Sequence, residues 1–154
     1  MADELLQLYQ DVVLEHNRRP RNFVAVVPAT HHAHGYNPLC GDSIELTLDV
    51  REGVIAAIGF QGESCAIATA SASLLTTALE GASVDEAVCL MTAFRDALAG
   101  RSSPVPAELK PLLAVRRFSS RIKCASLPWA SLEAALAGES RTGAATTEGA
   151  RQRS

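Results

Sequence analysis

The sequence predicts an α+β fold, in which a small antiparallel sheet of about three strands packs against several helices. The first observation is that residues 43–62 alternate between apolar and polar side chains on either side of a two-residue turn, as a half-buried β-hairpin does. The second is that several other stretches carry apolar residues at helical spacing. The third is an apolar fraction of 47%, enough for one core in a chain of 154 residues. We therefore expect a single domain over residues 1–137.

The N-terminal segment, residues 3–16, is predicted to be an amphipathic helix. Its apolar residues share one face of a 3.6-residue period, and Pro20 ends it in a basic turn. Residues 23–27 then predict a short edge strand, which Pro28 stops because proline has no amide to donate to a neighbouring strand.

The hairpin is predicted to place its apolar side chains on one face of the sheet. That face comprises Ile44, Leu46, Leu48 and Val50 in the first strand and Val54, Ala56, Ile58 and Phe60 in the second. Glu52-Gly53 supplies the two-residue turn. Because an antiparallel hairpin brings its two open ends together, the residues just before and just after it are expected to be neighbours.

Helices are predicted for most of the chain after the hairpin. Residues 65–80 form the first, which Gly81 closes as a C-terminal cap. A capping box of Ser83 and Glu86 opens the second, which runs to about residue 99. The remaining predicted helices are a short one at 109–113 and a last one at 126–137. The chain from residue 138 to 154 has no bulky apolar side chain, so we expect it to be disordered.

Composition excludes several classes of function. A net charge of −3 argues against a nucleic-acid partner, which would require a basic stripe. No apolar run is long enough for a membrane span. The start Met-Ala-Asp-Glu is acidic where a signal peptide would be basic, so a cytoplasmic location is expected. In that reducing compartment cysteines are metal-binding or catalytic more often than they are paired in disulfides.

Three of the four cysteines stand in segments suited to a reactive or metal-bound thiolate. Cys40 lies in a Pro/Gly turn before the hairpin, with Asp42 two residues later. Cys65 follows the hairpin at a helix start, where the helix dipole favours the thiolate. The hairpin therefore brings these three residues together. Cys124 is expected in a late loop, after a basic pair that includes Arg121. Three thiolates and a carboxylate form a complete tetrahedral ligand set for Zn²⁺.

The other cysteine and a group of histidines are not expected to belong to this site. Cys89 falls on the side of its helix opposite the apolar residues, and we interpret it as incidental. His31, His32 and His34 have the chemistry of metal ligands. They stand in a stretch without periodicity, however, and we interpret them as solvated loop residues.

Three sequence strings resemble one family of proteins. They are Asn-Pro-x-Cys-Gly-Asp at 37–42, Cys-x-Ile-x-x-Ala-Ser-Ala-Ser at 65–73 and Arg-Ile-Lys-Cys-Ala-Ser-Leu at 121–127. Their order resembles that in the U-type iron–sulfur cluster assembly proteins, which include the IscU, SufU and NifU N-terminal domains. Within them, Lys123 before the third cysteine resembles the SufU branch, because the IscU branch has a histidine there. The long stretch between Cys65 and Cys124 also matches that branch.

The resemblance implies a zinc-dependent sulfurtransferase. Such a protein accepts persulfide sulfur from a PLP-dependent cysteine desulfurase of the SufS type, and iron–sulfur scaffold proteins act downstream of it. The resemblance implies that Cys40, Asp42, Cys65 and Cys124 hold Zn²⁺, that Cys40 accepts the sulfur and that Arg121 lies close to the site. It further implies that a desulfurase histidine takes the place of Cys40 on the metal and so frees its thiolate for attack.

Two other interpretations stay open at this point. One is a non-catalytic scaffold on which a [2Fe–2S] cluster is assembled on the same ligands. The other is a structural zinc domain that only docks a partner.

Overall fold

The structure is a computed structural model that describes residues 2–138 and 141–143. Its elements, in chain order, are α1 (Ala2–Arg18), β1 (His31–Asn37), β2 (Asp42–Arg51), β3 (Val54–Glu63), α2 (Ala66–Leu79), α3 (Val84–Leu98), the 3₁₀ helix η1 (Lys110–Arg117), α4 (Ser119–Leu136) and β4 (Arg141–Gly143). The predicted α+β fold is confirmed. Within the described residues, no helix is both long and apolar enough to cross a membrane.

The sheet has the strand order β3-β2-β1-β4. The first three strands form the predicted antiparallel sheet, and β4 adds a short parallel partner on the outer side of β1. The fourth strand was not predicted, because it lies in the segment for which disorder is expected. The rest of that segment, residues 139–140 and 144–154, lies outside the described residues.

The prediction of an edge strand at residues 23–27 was wrong. The strand that pairs with β2 is β1, so His31, His32 and His34 belong to a strand and not to a loop. In β1 the inward positions are held by alanine, glycine and asparagine rather than by large apolar residues. The side chains of β1 therefore alternate between buried and exposed, but the sequence does not show this alternation because the buried side chains are not strongly apolar.

Residues 22–30 instead cross the sheet irregularly. The Phe60 amide donates to the Asn22 carbonyl (3.0 Å), and the Val26 amide donates to Thr47 Oγ1 (2.9 Å). Gly59 makes this approach possible, since a Cβ at that position would collide with the backbone of residue 24. The segment thus covers part of the sheet without adding a strand to it.

The hairpin of β2 and β3 follows the predicted turn and the predicted inner face of β2. Glu52 and Gly53 both have positive φ, at 52° and 78°, as a type I′ turn requires. The pairing of β3 with β2, however, shifts register between Asp49 and Val50 of β2, which pair with Ala57 and Ile55 of β3. In the first part of β3 this bulge exchanges the inward-pointing and outward-pointing side chains, because successive side chains of a strand point to opposite faces of the sheet.

As a result, the predicted inner face of β3 was wrong at its start and right at its end. Ile55 is fully buried, whereas Val54 and Ala56 face solvent. Ile58 and Phe60 are buried as predicted.

The predicted ends of α2 and α3 are confirmed, but α4 begins seven residues earlier than expected. Gly81 follows α2 with φ of 88°, and both hydrogen bonds of the Ser83/Glu86 capping box are present. Pro128 lies inside α4, although proline is typical of a first helical turn. Cys124 therefore stands within a helix and not in a loop.

The centre of the core joins α2 to α4. Trp129 is fully buried, packs against Phe94 with ring centroids 4.8 Å apart and donates its indole N–H to Ser71 Oγ (3.0 Å). The Ser71 hydroxyl donates to the Ala125 carbonyl at 2.6 Å. These buried polar contacts fix the helix that starts at Cys65 against the helix that carries Cys124.

Candidate metal centre

The turn between β1 and β2 positions Cys40 and Asp42. The Asn37 carbonyl accepts hydrogen bonds from the amides of Cys40 (3.3 Å) and Gly41 (2.8 Å). Gly41 closes the turn with φ of 73°, a conformation that favours glycine. The Cys40 side chain is left exposed, whereas Asp42 begins β2 and is only 1% exposed.

Cys65 caps the N-terminus of α2 with its own sulfur. The Ala68 amide donates to Cys65 Sγ at 3.4 Å, which uses one of the free amides of the first helical turn. The Cys65 amide in turn donates to Asp42 Oδ1 at 2.8 Å, and Cys65 Sγ lies 3.8 Å from Asp42 Oδ2. The Asp42 carboxylate therefore ties the open ends of the hairpin together.

Cys124 completes the cluster from α4. Its Sγ lies 3.3 Å from Cys40 Sγ, and it also hydrogen-bonds to the Cys65 thiol. One ligand atom each from Cys40, Asp42 and Cys124 lies within 4.8 Å of the other two. The structure thus groups Cys40, Asp42 and Cys124 at ligand spacing, and Cys65 lies outside that group but beside it, through its contact with Asp42.

The three thiols differ in exposure, and Cys65 and Cys124 differ strongly in pKa. The hydrogen bond from Cys124 lowers the pKa of Cys65 to about 7, with help from the Ala68 amide and against the effect of burial. The same hydrogen bond raises the pKa of the buried Cys124 thiol, and burial raises it further. In the metal-free protein Cys65 is therefore the first of this pair to lose its proton.

Arg121 lies beside the cluster, one helical turn before Cys124. Its exposed guanidinium hydrogen-bonds to Cys124, and this contact raises the pKa of the arginine further. A permanent cation at the rim of the site offsets negative charge that develops on the sulfurs.

Tyr9 is a neighbour of the site that the sequence did not indicate. Its side chain is buried and stacks on Phe118 at the start of α4, with ring centroids 6.3 Å apart. Burial raises the pKa of the Tyr9 hydroxyl, and the charges of Arg121, Cys65 and Cys124 act on it as well. In the sequence Tyr9 is one member of the apolar face of α1, and nothing in that pattern links it to the cysteines.

Cys89 and the histidines lie apart from the cluster. Cys89 is exposed on α3, as predicted. The Nε2 atom of His34 lies 2.6 Å from Ser43 Oγ, and Nδ1 of His31 lies 2.8 Å from Thr30 Oγ1. In the described part of the chain, the cluster that could hold a metal contains no histidine.

The donor set and its spacing suit Zn²⁺. A tetrahedral zinc site, with bonds of about 2.3 Å to sulfur and about 2.0 Å to oxygen, separates two sulfur ligands by about 3.8 Å and a sulfur from an oxygen ligand by about 3.5 Å. Contacts of 3.3 Å between the Cys40 and Cys124 sulfurs and 3.8 Å between Cys65 and Asp42 are close to these spacings. Thiolates are soft ligands that favour zinc or an iron–sulfur cluster over Mg²⁺ or Ca²⁺.

Comparison with known proteins places this chain in a family. The family model for the NifU-like N terminal domain matches residues 8–138. The chain is 35% identical over 135 residues to the zinc-dependent sulfurtransferase SufU of Bacillus subtilis, covering 86% of this chain and 91% of that protein. It is 37% identical over 136 residues to the iron–sulfur cluster assembly scaffold protein IscU of Streptococcus pyogenes, covering 86% of this chain and 85% of that protein.

The fold matches as well. The crystal structure of FiSufU from Fervidobacterium islandicum, a candidate iron–sulfur cluster assembly scaffold protein for the SUF system, superimposes with a TM-score of 0.79 at 25% identity. The match covers 82% of this chain and 94% of that one. With its cysteine cluster built on the same fold, the chain belongs to the NifU-like N terminal domain family of iron–sulfur cluster assembly proteins.

Proposed function

We propose that this protein is a zinc-dependent sulfurtransferase, which accepts persulfide sulfur from a cysteine desulfurase for iron–sulfur cluster assembly. The observation that carries the proposal is the graded exposure of three thiols at one site. Cys40 is exposed, Cys65 is half-buried and Cys124 is buried. A carrier of this kind needs one thiol that a partner can reach and others that anchor a metal.

Cys40, Asp42, Cys65 and Cys124 are the residues that would hold the zinc ion. When bound, Zn²⁺ keeps its cysteine ligands deprotonated and is itself redox-inert. The Asp42 carboxylate already orients Cys65 through its amide. Arg121 would offset the excess negative charge of the three thiolates and the carboxylate.

The transfer step that we propose begins with attack by Cys40. Its thiolate attacks the terminal sulfur of a persulfide on the desulfurase, a new S–S bond forms at Cys40 Sγ, and the S–S bond of the donor breaks. The electron pair of the broken bond leaves with the desulfurase cysteine as a thiolate, so no external oxidant or reductant is needed. The Arg121 cation would stabilise the negative terminal sulfur on the new persulfide.

The surface around Cys40 supports docking of a protein partner. Leu39, next to Cys40 in the turn, is 73% exposed. An exposed apolar side chain beside a reactive thiol suits a contact that excludes water during transfer. We propose a SufS-type cysteine desulfurase as the sulfur donor and iron–sulfur scaffold proteins as downstream acceptors, in the cytoplasm.

The test of this function is direct detection of transferred sulfur. The protein is incubated with a SufS-type desulfurase and free cysteine, and its peptides are analysed by mass spectrometry under non-reducing conditions. We expect the mass of one added sulfur atom on the Cys40 peptide. The Cys40→Ala variant should show no adduct and should not raise desulfurase turnover, whereas Cys89→Ser, the matched control, should behave as wild type. An adduct on Cys65 or Cys124 with Cys40 unmodified would contradict the role of Cys40.

A scaffold for a [2Fe–2S] cluster is the second candidate. It is favoured by the similarity to the IscU of Streptococcus pyogenes, at 37% identity, and by a donor set that also suits iron–sulfur ligation. Anaerobic purification distinguishes the two functions. A visible absorption band with stoichiometric iron supports the scaffold, and a colourless protein with about one zinc per chain supports the sulfurtransferase.

A further inference from the structure

Asn37 has a buried side-chain amide that is only half satisfied. The residue is fully buried, and its Oδ1 accepts the Leu39 amide at 3.2 Å. That contact fixes the orientation of the side chain, because the oxygen must face the N–H of Leu39. The Nδ2 group, which carries two hydrogens, is buried without a hydrogen-bond partner. Native structures rarely leave such a donor uncompensated.

The position of Asn37 in the sheet places its side chain at the metal centre. Asn37 pairs directly with Asp42 across β1 and β2, so the two side chains lie on the same face of the sheet as neighbours. Both are buried. The unpaired donor is therefore adjacent to one of the four residues of the cluster.

The packing of β1 against α4 directs Asn37 towards Cys124. Gly35, two residues earlier on the same face of β1, approaches α4 at Leu127 and Ser131. Further along the chain, the Cys40 thiol meets Cys124. Asn37 lies between these two contacts, so it faces the turn of α4 that carries Cys124.

Metal binding changes the acceptor strength of the cysteine sulfurs, because a cysteine bound to zinc is a thiolate. A neutral thiol is a weak hydrogen-bond acceptor, whereas a thiolate accepts well. The acceptor must itself be buried, because Nδ2 is buried. Cys124 is fully buried, whereas Cys40 is exposed. The two oxygens of the buried Asp42 are already engaged, because Oδ1 accepts the Cys65 amide and Oδ2 lies 3.8 Å from the Cys65 thiol.

We propose that Asn37 is a positioning residue of the metal centre, whose Nδ2 donates an N–H···S hydrogen bond to the Cys124 thiolate once the site is loaded. The inference rests on the proposed function, which supplies the zinc site. Residues that hydrogen-bond to metal ligands orient them and tune the metal. A donor on the Cys124 sulfur withdraws electron density from it and makes it the poorer nucleophile. Sulfur transfer is thereby directed to Cys40, which stands in the open turn.

The test separates metal binding from folding with two asparagine variants. Asn37→Ser keeps an oxygen that can accept the Leu39 amide but removes the NH₂ donor. Asn22→Ser is the matched control, because the Asn22 amide is already satisfied by Thr76 Oγ1 at 3.1 Å, away from the cluster. Zinc affinity is measured by competition with a chelator, and melting temperature is measured with and without zinc.

We expect Asn37→Ser to weaken zinc binding by about 10- to 100-fold and to leave the melting temperature of the metal-free protein unchanged. Asn22→Ser should do the reverse. In Co²⁺-substituted protein, Asn37→Ser should shift the thiolate-to-cobalt charge-transfer band to lower energy, because the sulfur loses its hydrogen bond and becomes more electron-rich.

The inference is overturned if Asn37→Ser destabilises the metal-free and zinc-loaded proteins equally, with unchanged zinc affinity and an unmoved cobalt band. Asn37→Asp, which also keeps an acceptor and removes the donor, decides the question if the serine variant does not fold. Wild-type protein that binds zinc normally but transfers no sulfur would refute the proposed function and leave this hydrogen bond standing. Wild-type protein that binds no zinc would overturn both.

Discussion

Asp42 carries two roles that substitution can separate. Its Oδ1 accepts the Cys65 amide at 2.8 Å, which holds the start of α2 against the start of β2, and its carboxylate is a proposed zinc ligand. Asp42→Ala removes both roles. Asp42→Asn keeps a side-chain oxygen for the amide and removes the charged ligand. The two variants together therefore report on folding and on metal binding.

The structure sets the expected magnitude for the metal-free protein. A hydrogen bond to a charged group contributes about 1.5–3 kcal/mol to stability. A loss of that size in Asp42→Ala is less than the roughly 5–15 kcal/mol by which a domain is stable, so the variant should fold. For a domain of this size it corresponds to a drop in melting temperature of roughly 3–12 °C. Asp42→Asn should recover most of that drop.

Zinc binding should not recover in the same way. Loss of an outer hydrogen-bond partner of a ligand already weakens metal binding by about 10- to 100-fold, so loss of a direct ligand should weaken it by more than about 100-fold in both variants. Chelator competition measures the zinc affinity, and calorimetry of the metal-free protein measures the melting temperature. Wild-type zinc affinity in Asp42→Asn would show that the carboxylate is not a ligand. An unchanged melting temperature in metal-free Asp42→Ala would show that the hydrogen bond between Asp42 and the Cys65 amide does not stabilise the fold.

Two further predictions follow from the cluster and from α1. Cys124→Ser should lose bound zinc and, with it, the rise in melting temperature that zinc gives the wild type, because metal binding stabilises the fold. Cys89→Ser should keep both the zinc and the rise in melting temperature. Loss of zinc in Cys89→Ser, measured by elemental analysis, would contradict the placement of Cys89 outside the site. Burial and the nearby Arg21 cation lower the pKa of His16, so its neutral form is favoured in the fold. The stability from this residue should be complete above the ordinary histidine value of about 6.5 and be lost as the pH falls through the lower folded value. Denaturant titrations of wild type and His16→Gln should show a shallower acid decline in the variant, and parallel curves would refute the assignment.

Much of the site could be predicted from the sequence because its first three residues converge through local structure. The alternation of β2 and the Glu52-Gly53 turn define a hairpin, and a hairpin necessarily brings Asp42 and Cys65 together. The capping signals of α2 and α3 were equally readable, since they involve residues three or four positions apart. In each case the interacting groups lie in one or two adjacent elements.

What the sequence could not determine depends on partners far along the chain. Cys124 reaches Cys40 across 84 positions. The lowered pKa of Cys65 likewise depends on Cys124, which belongs to a different helix. Tyr9 joins the site only because α1 packs beside the start of α4.

The elements themselves show the same division. The bulge in β3 reverses which side chains point inward in a strand whose hydrophobic pattern was ambiguous. The segment β1 is a strand because its backbone pairs with β2, although its inward residues are small or polar. Periodicity and capping patterns reflect interactions between residues a few positions apart. The bulge in β3 and the pairing of β1 are instead decided by hydrogen bonds and packing between distant segments. The convergence of Cys40, Asp42 and Cys65 was therefore determined by the sequence, and the approach of Cys124 that completes the candidate metal centre was decided by the tertiary structure.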